Sequence, residues 1–157
     1  MSAIKSKDTK PEMTVRQGLF ARGLRYRLHM SGLPGRPDIV FPRFRAVIFV
    51  HGCFWHGHEG CRLFRLPSSN RGYWQAKIER NRDSGLSAEA KLRELGWRVR
   101  VVWECDFHGQ PQEVRAGKLD DLANWVRSTG GSASSSGLIQ PTAKQTETAR
   151  VQRRPPA

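Results

Sequence analysis

The sequence has no long apolar run and no internal repeat. The apolar stretch Val47–Val50 is only as long as a β-strand, far short of the ~20 residues that cross a bilayer. The first ten residues, MSAIKSKDTK, lack the apolar core of a secretory signal, so we expect a cytoplasmic protein. At 157 residues the chain suits one domain with its own hydrophobic core.

Acidic side chains are also scarce. Only 14 Asp and Glu stand against 27 Lys and Arg, which gives a net charge of +13. A merely soluble surface is one interpretation, but a polyanionic partner fits better, because neutralised phosphates release condensed counterions. Residues 129–157 hold only four of the basic side chains and one acidic one, so the basic excess belongs to residues 1–128. We predict that 1–128 fold and that the small, polar 129–157 form a disordered tail.

Cysteine is the third scarcity. The odd count of three argues against a disulfide framework and favours metal-binding thiolates. Cys53, His58 and Cys61 lie close enough in sequence to wrap one ion, and Cys105 follows a predicted strand that could return beside them. Together they match the Cys₃His set of a closed zinc site. Three buried thiols without a metal, or another histidine of the segment in place of His58, are the alternatives.

The predicted elements run helix, three strands, helix, strand, helix, which indicates a mixed α/β central sheet flanked by helices. A capping box at Thr9 begins the first helix. Tyr73–Leu95 is predicted to be mostly helical, and Ser84 with Gly85 weakens its middle, which indicates a break there. The predicted strands are LRYRL, a hairpin of DIVF and AVIFV, and RVRVVW.

Three residues are candidates for a hydrolytic centre. Asp38 follows the rigid PGRP loop, Glu12 lies in the first helix and His51 ends a strand. Mg²⁺ needs only one or two carboxylates plus substrate phosphate, and a neutral histidine can deprotonate water near pH 7. Phosphodiester hydrolysis requires such a base and such a cation. Taken singly, Glu12 also fits a helix-cap partner and Asp38 a turn former, so the prediction depends on their joint placement.

Three aromatic residues are candidates for DNA contact. Phe54 and Trp55 are adjacent on a glycine-flanked polar loop, and Trp74 opens the long helix. Core packing is the ordinary fate of such residues, but two adjacent aromatics on a polar loop are hard to bury together. Apolar wedges between base pairs kink duplex DNA, and a mismatched pair opens at lower cost than a sound one. We therefore expect a reader of damaged or mismatched DNA.

The motifs LPGRPDIVF, AVIFVHGCFWHGHEGC and ELGWRVRVVWEC closely resemble the very short patch repair (Vsr) endonucleases, over residues 1–127. The resemblance implies a restriction-endonuclease-like fold of the PD-(D/E)xK type. It also implies Mg²⁺-dependent nicking of DNA 5′ to the thymine of T:G mismatches, which arise when 5-methylcytosine deaminates. The expected setting is bacterial and nucleoid-associated, with a monomeric enzyme that contacts the mismatch-repair machinery.

Site roles follow from the same resemblance. Asp38 is the expected central Mg²⁺ ligand, and Val50, where many relatives have threonine, offers its backbone carbonyl to the metal. Glu12 acts through metal-bound water, His51 lies near the metal waters, and His56 is the general base on the attacking water. The resemblance assigns the structural zinc to Cys53, His58, Cys61 and Cys105, and the DNA wedge to Phe54, Trp55 and Trp74.

Two rival functions stay open at this point. One is a type II restriction endonuclease, which cuts both strands of paired DNA, and the other is a zinc-stapled DNA-binding protein without catalysis. Relatives also carry a longer N-terminal arm that helps to hold the duplex. Since Met1 lies near the end of that arm, we expect either an upstream start or a weaker grip on DNA.

Overall fold

The computed structural model describes residues 7–128, in which a four-stranded mixed sheet carries helices on both faces. The elements are α1 (Lys10–Ala21), β1 (Arg27–Leu28), β2 (Ile39–Phe41), β3 (Ala46–His51), α2 (Arg71–Glu94), β4 (Arg98–Trp103) and α3 (Gln112–Arg127). The predicted order of elements is confirmed. None of these helices is long and apolar enough to cross a membrane. The prediction of a disordered 129–157 falls outside the described residues.

The sheet follows chain order, β1-β2-β3-β4. β2 pairs antiparallel with β1 and with β3, which confirms the predicted hairpin, and a 3₁₀ turn over Pro42–Phe44 joins β2 to β3. β4 pairs parallel with β3, so the chain needs a crossover, and α2 supplies it. The strand LRYRL is shorter than predicted, because only Arg27 and Leu28 pair with β2.

Side-chain alternation along the strands divides the core between the two sheet faces. Ile48 packs with residues of α1 and α3 on one face, and Val47 packs with Leu92 of α2 on the other. The same alternation directs Asp38 and His51 to the α2 face, where both line a cavity with residues of α2. The first residues of β2 lie beside the last residues of β3, so Asp38 and His51 lie near each other at this end of the two strands.

Helix α2 runs unbroken through Gly85, so the predicted break is wrong. A glycine costs a helix about 1 kcal/mol, and burial of Ile78 on one side of it and of Ala88 and Leu92 on the other offsets that cost. The small residue also leaves room for a neighbour. A Cβ at position 85 would lie 3.9 Å from Cε1 of His51.

The start of α1 confirms half of the predicted capping box. The Thr9 hydroxyl accepts the Glu12 N–H at 3.4 Å. The Glu12 carboxylate accepts the N–H of Asp8 at 3.0 Å, not that of Thr9. Glu12 is nevertheless only 2% exposed, which is unusual for a helix-cap partner on a protein surface.

Candidate active site

Two imidazole rings stack at the carboxyl end of β3. The rings of His51 and His56 lie 3.7 Å apart between centroids, with 2° between their planes. Burial lowers the pKa of both histidines, that of His51 to about 3. Both rings are therefore neutral near pH 7, and parallel contact at this distance admits at most one positive charge. Because a pKa near 3 makes His51 a weak base, His56 is the ring better suited to accept a proton.

Asp38 faces the same space as the histidines. A cavity of about 330 Å³ is lined by Asp38, Val50, His51 and His56, with Gly85 of α2 opposite. The N–H of Val50 donates to Oδ2 of Asp38 at 2.7 Å and fixes the carboxylate. Burial raises the pKa of Asp38 to about 6, and the nearby charge of Glu12 acts in the same direction. Four of the predicted site residues thus share one cavity.

Glu12 joins this group through His29, a residue that the sequence reasoning missed. His29 Nε2 lies 3.0 Å from Oε1 of Glu12, and its Nδ1 lies 3.9 Å from Oδ1 of Asp38. The signal that could have found His29 is strand register. Leu28 pairs with Ile39, so the next residue along β1 must lie beside Asp38, and its N–H donates to the Asp38 carbonyl at 3.3 Å.

The oxygen donors of the cavity suit a hard divalent cation. Mg²⁺ is held by one or two carboxylates, with water and substrate phosphate completing its shell. The Oδ2 atom of Asp38 is held by the backbone, and a desolvated carboxylate is stabilised as an anion when a cation lies beside it. Asp38 is therefore the carboxylate that fits a Mg²⁺ site, Val50 lines the same cavity, and Glu12 lies beyond His29.

A second cluster combines one histidine with all three cysteines. The donor atoms of Cys53, His58, Cys61 and Cys105 lie within 4.8 Å of one another. His58 Nδ1 is 3.6 Å from the Cys53 sulfur and 3.4 Å from the Cys105 sulfur. Tetrahedral zinc, with Zn–S near 2.3 Å and Zn–N near 2.0–2.1 Å, requires about 3.6 Å between such atoms. The donor set and its spacing fit a structural zinc ion.

Neighbouring side chains contact the Cys₃His cluster and connect it to the stacked rings of His51 and His56. The Cys53 N–H donates to Oε2 of Glu104 at 3.3 Å. The ring of His58 stacks on Trp103, with centroids 4.1 Å apart. Trp103 pairs with His51 across β3 and β4, and their rings meet edge to face at 5.4 Å. One indole therefore contacts both the candidate metal site and the candidate catalytic site.

The predicted wedge residues form a cluster of their own. Phe54, Trp55 and Trp74 lie 5.1–5.9 Å apart between ring centroids, and none of the three is part of either core cluster. Lys77 places its ammonium 5.6 Å from the Trp55 ring and 5.9 Å from the Trp74 ring. A partly exposed aromatic group with a cation over it is suited to base stacking and phosphate attraction.

Helix α2 holds the loop that carries these groups. Asn81 Nδ2 donates to the Trp55 carbonyl at 3.0 Å, and Arg82 Nε donates to the His56 carbonyl at 3.1 Å. Neither residue was predicted, because nothing in the helix sequence distinguishes them from their polar neighbours. Their partners become apparent only from the packing of α2 against the loop.

Comparisons with known proteins identify the family to which this chain belongs. A family model described as DNA mismatch endonuclease Vsr matches residues 1–62. The Type II nicking enzyme V.XorIIP of Xanthomonas oryzae pv. oryzae is 56% identical over 107 residues, which cover 68% of this chain and 78% of that protein. The DNA mismatch endonuclease Vsr of Escherichia coli is 40% identical over 133 residues, or 85% of each chain. The chain therefore belongs to the Vsr family of DNA mismatch endonucleases.

Proposed function

We propose that this endonuclease nicks one strand of DNA 5′ to the thymine of a T:G mismatch and that it requires Mg²⁺. Its sheet and helices would then form a PD-(D/E)xK-type nuclease fold. The observation that carries the proposal is the cavity shared by Asp38, His51 and His56. His56 lies on the same loop as Phe54 and Trp55. One nick needs one active site, so we expect a monomer. Contacts with the mismatch-repair machinery stay a prediction.

The hydrolytic roles divide by chemistry. Asp38 and the carbonyl of Val50 would hold Mg²⁺, which when bound supplies positive charge beside the scissile phosphate. His56 accepts the proton of the attacking water, because burial keeps its ring neutral at pH 7. His51, stacked on it, stays neutral and limits the pair to one charge. Glu12, beside His29, would orient water at the Asp38 side of the cavity.

We expect DNA recognition to depend on the partly exposed aromatic cluster and on the basic charge. Phe54, Trp55 and Trp74 would enter the base stack, where a T:G pair costs less to open than a Watson–Crick pair. Lys77 and the net charge of +13 favour the approach to phosphates. Cys53, His58, Cys61 and Cys105 would hold zinc as a structural ion. That ion would fix the loop on which Phe54, Trp55 and His56 lie.

A strand-resolved nicking assay tests this proposal. The substrate is a duplex with one T:G pair, labelled separately on each strand, and the controls carry T:A or C:G at that position. Mg²⁺ is omitted, not chelated, in the metal-free arm, because a chelator would also remove zinc. We expect a single Mg²⁺-dependent cut 5′ to the mismatched thymine. Cutting of both strands in paired DNA indicates a restriction endonuclease, and binding without cleavage indicates a binding protein.

Single-residue variants test the proposed role of His56 as the general base. His56→Ala is expected to lose at least ~100-fold in nicking rate, as removal of a general base does, while mismatch binding is retained. The matched control is His108→Ala, since His108 is exposed and outside the cavity. Full activity of His56→Ala would exclude His56 as the base.

A further inference from the structure

One arginine of α2 contacts the histidine-rich loop at three points. The Nε of Arg82 donates to the His56 carbonyl at 3.1 Å, and one terminal nitrogen donates to the Gly57 carbonyl. The other terminal nitrogen pairs with Oε1 of Glu59 at 3.1 Å. The guanidinium thus holds the two peptide groups that follow His56 and lead to His58. It is the planar fork of arginine that permits two parallel bonds to successive carbonyls.

Gly57 leaves the space that the Arg82 side chain occupies. Its φ of +57° lies in the left-handed region that favours glycine. A Cβ at this position would lie 2.5 Å from Cγ2 of Ile78 and 2.8 Å from a terminal nitrogen of Arg82. The loop can therefore approach α2 closely only because position 57 has no side chain, and Arg82 fills the space that is left.

We propose that Arg82 is a positioning residue for the nicking reaction, acting through the backbone of His56. This inference rests on the proposed function, in which His56 takes the proton of the attacking water. Rotation of the peptide between His56 and Gly57 would move the imidazole away from the ring of His51 and from the cavity. A shift of about 1 Å in a catalytic group can lower the rate ~100-fold.

The alternative role for Arg82 is a contact with DNA, because its side chain is 34% exposed. The two roles affect different measured quantities. A phosphate contact contributes to affinity, so its loss raises Kd and lowers the salt dependence of binding by about one unit of slope. A positioning contact contributes to the reaction step, so its loss lowers the single-turnover rate on saturating enzyme and leaves Kd nearly unchanged.

The experiment compares Arg82→Ala and Arg82→Lys with Arg80→Ala, a charge-matched control on the exposed face of the same helix. Single-turnover nicking of a T:G duplex gives the rate, and binding without Mg²⁺ gives Kd. We expect Arg82→Ala to be ~10- to 100-fold slower with Kd within ~3-fold, Arg82→Lys to be intermediate, and Arg80→Ala to match the unaltered protein. Methylguanidinium at low millimolar concentration should restore part of the rate of Arg82→Ala and leave Arg80→Ala unchanged.

Three outcomes would overturn the inference. They are an unaltered rate in Arg82→Ala, a loss confined to Kd, and a loss of rate that parallels a loss of bound zinc and is not restored by methylguanidinium. The zinc content and the thermal midpoint of each variant are measured on the same samples. If the unaltered protein fails to nick the T:G duplex, the proposed function itself fails and the inference falls with it. An active protein that is indifferent to Arg82 refutes the inference alone.

Discussion

Replacing Asp38 by asparagine should abolish nicking and at the same time stabilise the Mg²⁺-free protein. The reason is the burial of this carboxylate, which raises its pKa from 3.8 to about 6. At about 1.4 kcal/mol per pKa unit, the ionised group costs the native state roughly 3 kcal/mol. Asparagine carries no charge and still offers an oxygen to the Val50 N–H. The weaker hydrogen bond of a neutral acceptor offsets about 1 kcal/mol, so we expect a net gain of about 1–3 kcal/mol.

The size of this effect depends on pH. Native Asp38 titrates near 6 and the unfolded residue near 3.8, so between these values the native state binds more protons. The contribution of this group to stability therefore falls as pH rises through that window. The full cost is present above pH 6 and disappears below about 4, where both states are protonated. The advantage of Asp38→Asn should be largest at pH 8 and should shrink as pH falls through 6.

Urea unfolding at pH 8 and pH 4.5, in Mg²⁺-free buffer without a chelator, measures the difference. Asp83→Asn is the control, because Asp83 is an exposed carboxylate on α2 and should show no such gain. Mg²⁺ at ~10 mM should raise the unfolding midpoint of the unaltered protein and leave Asp38→Asn unchanged, because only the native site binds it. A variant that is less stable at pH 8, or a difference that does not vary with pH, would refute the reasoning.

Three further outcomes are expected. Cys105→Ser should lower the bound zinc from one ion per chain and the stability with it, measured by elemental analysis and urea unfolding, since a structural site needs all four ligands; full zinc retention would contradict the assignment. Trp55→Ala should reduce the preference for a T:G over a T:A duplex in a binding assay, because a wedge is lost; an unchanged preference would exclude Trp55 as a wedge. Gly18→Ala should destabilise by ~1–3 kcal/mol, because the new Cβ would lie 2.4 Å from Leu119 Cδ1, whereas Gly117→Ala on α3, with open space around it, should not.

The sequence was sufficient to predict the placement of residues that lie at the end of a strand or close together along the chain. Asp38 and His51 were expected to converge because each lies at the end of a strand, and both line one cavity at the adjoining ends of β2 and β3. The cysteine count and spacing correctly grouped Cys53, His58 and Cys61, and the strand before Cys105 explained how it reaches them. In these cases the end of a strand, or a short separation along the chain, places the residue.

Local sequence propensity gave wrong or incomplete predictions for residues whose conformation or contacts depend on tertiary packing. Gly85 predicts a break in isolation, but buried side chains on both sides keep α2 continuous. His29 was overlooked because its importance depends on register between β1 and β2, not on its own neighbours. Glu12 fits a capping box by its sequence, but its carboxylate accepts the N–H of Asp8 and not that of Thr9. Its burial beside His29 depends on packing that no capping pattern contains.

The loop over 52–61 is the clearest case of this limit, and it explains why function and folding are linked in this protein. Its sequence, GCFWHGHEGC, has no aliphatic side chain with which to pack itself. Its fixation comes from residues distant in sequence: Cys105 lies 47 positions from His58, Glu104 51 positions from Cys53, and Arg82 26 positions from His56. Cys105 was expected from the scarcity of cysteine and the strand before it, but no local pattern predicts Glu104 or Arg82 as partners at such separations. Because these contacts also set the position of His56, a change that loosens the loop should reduce catalysis before it unfolds the sheet.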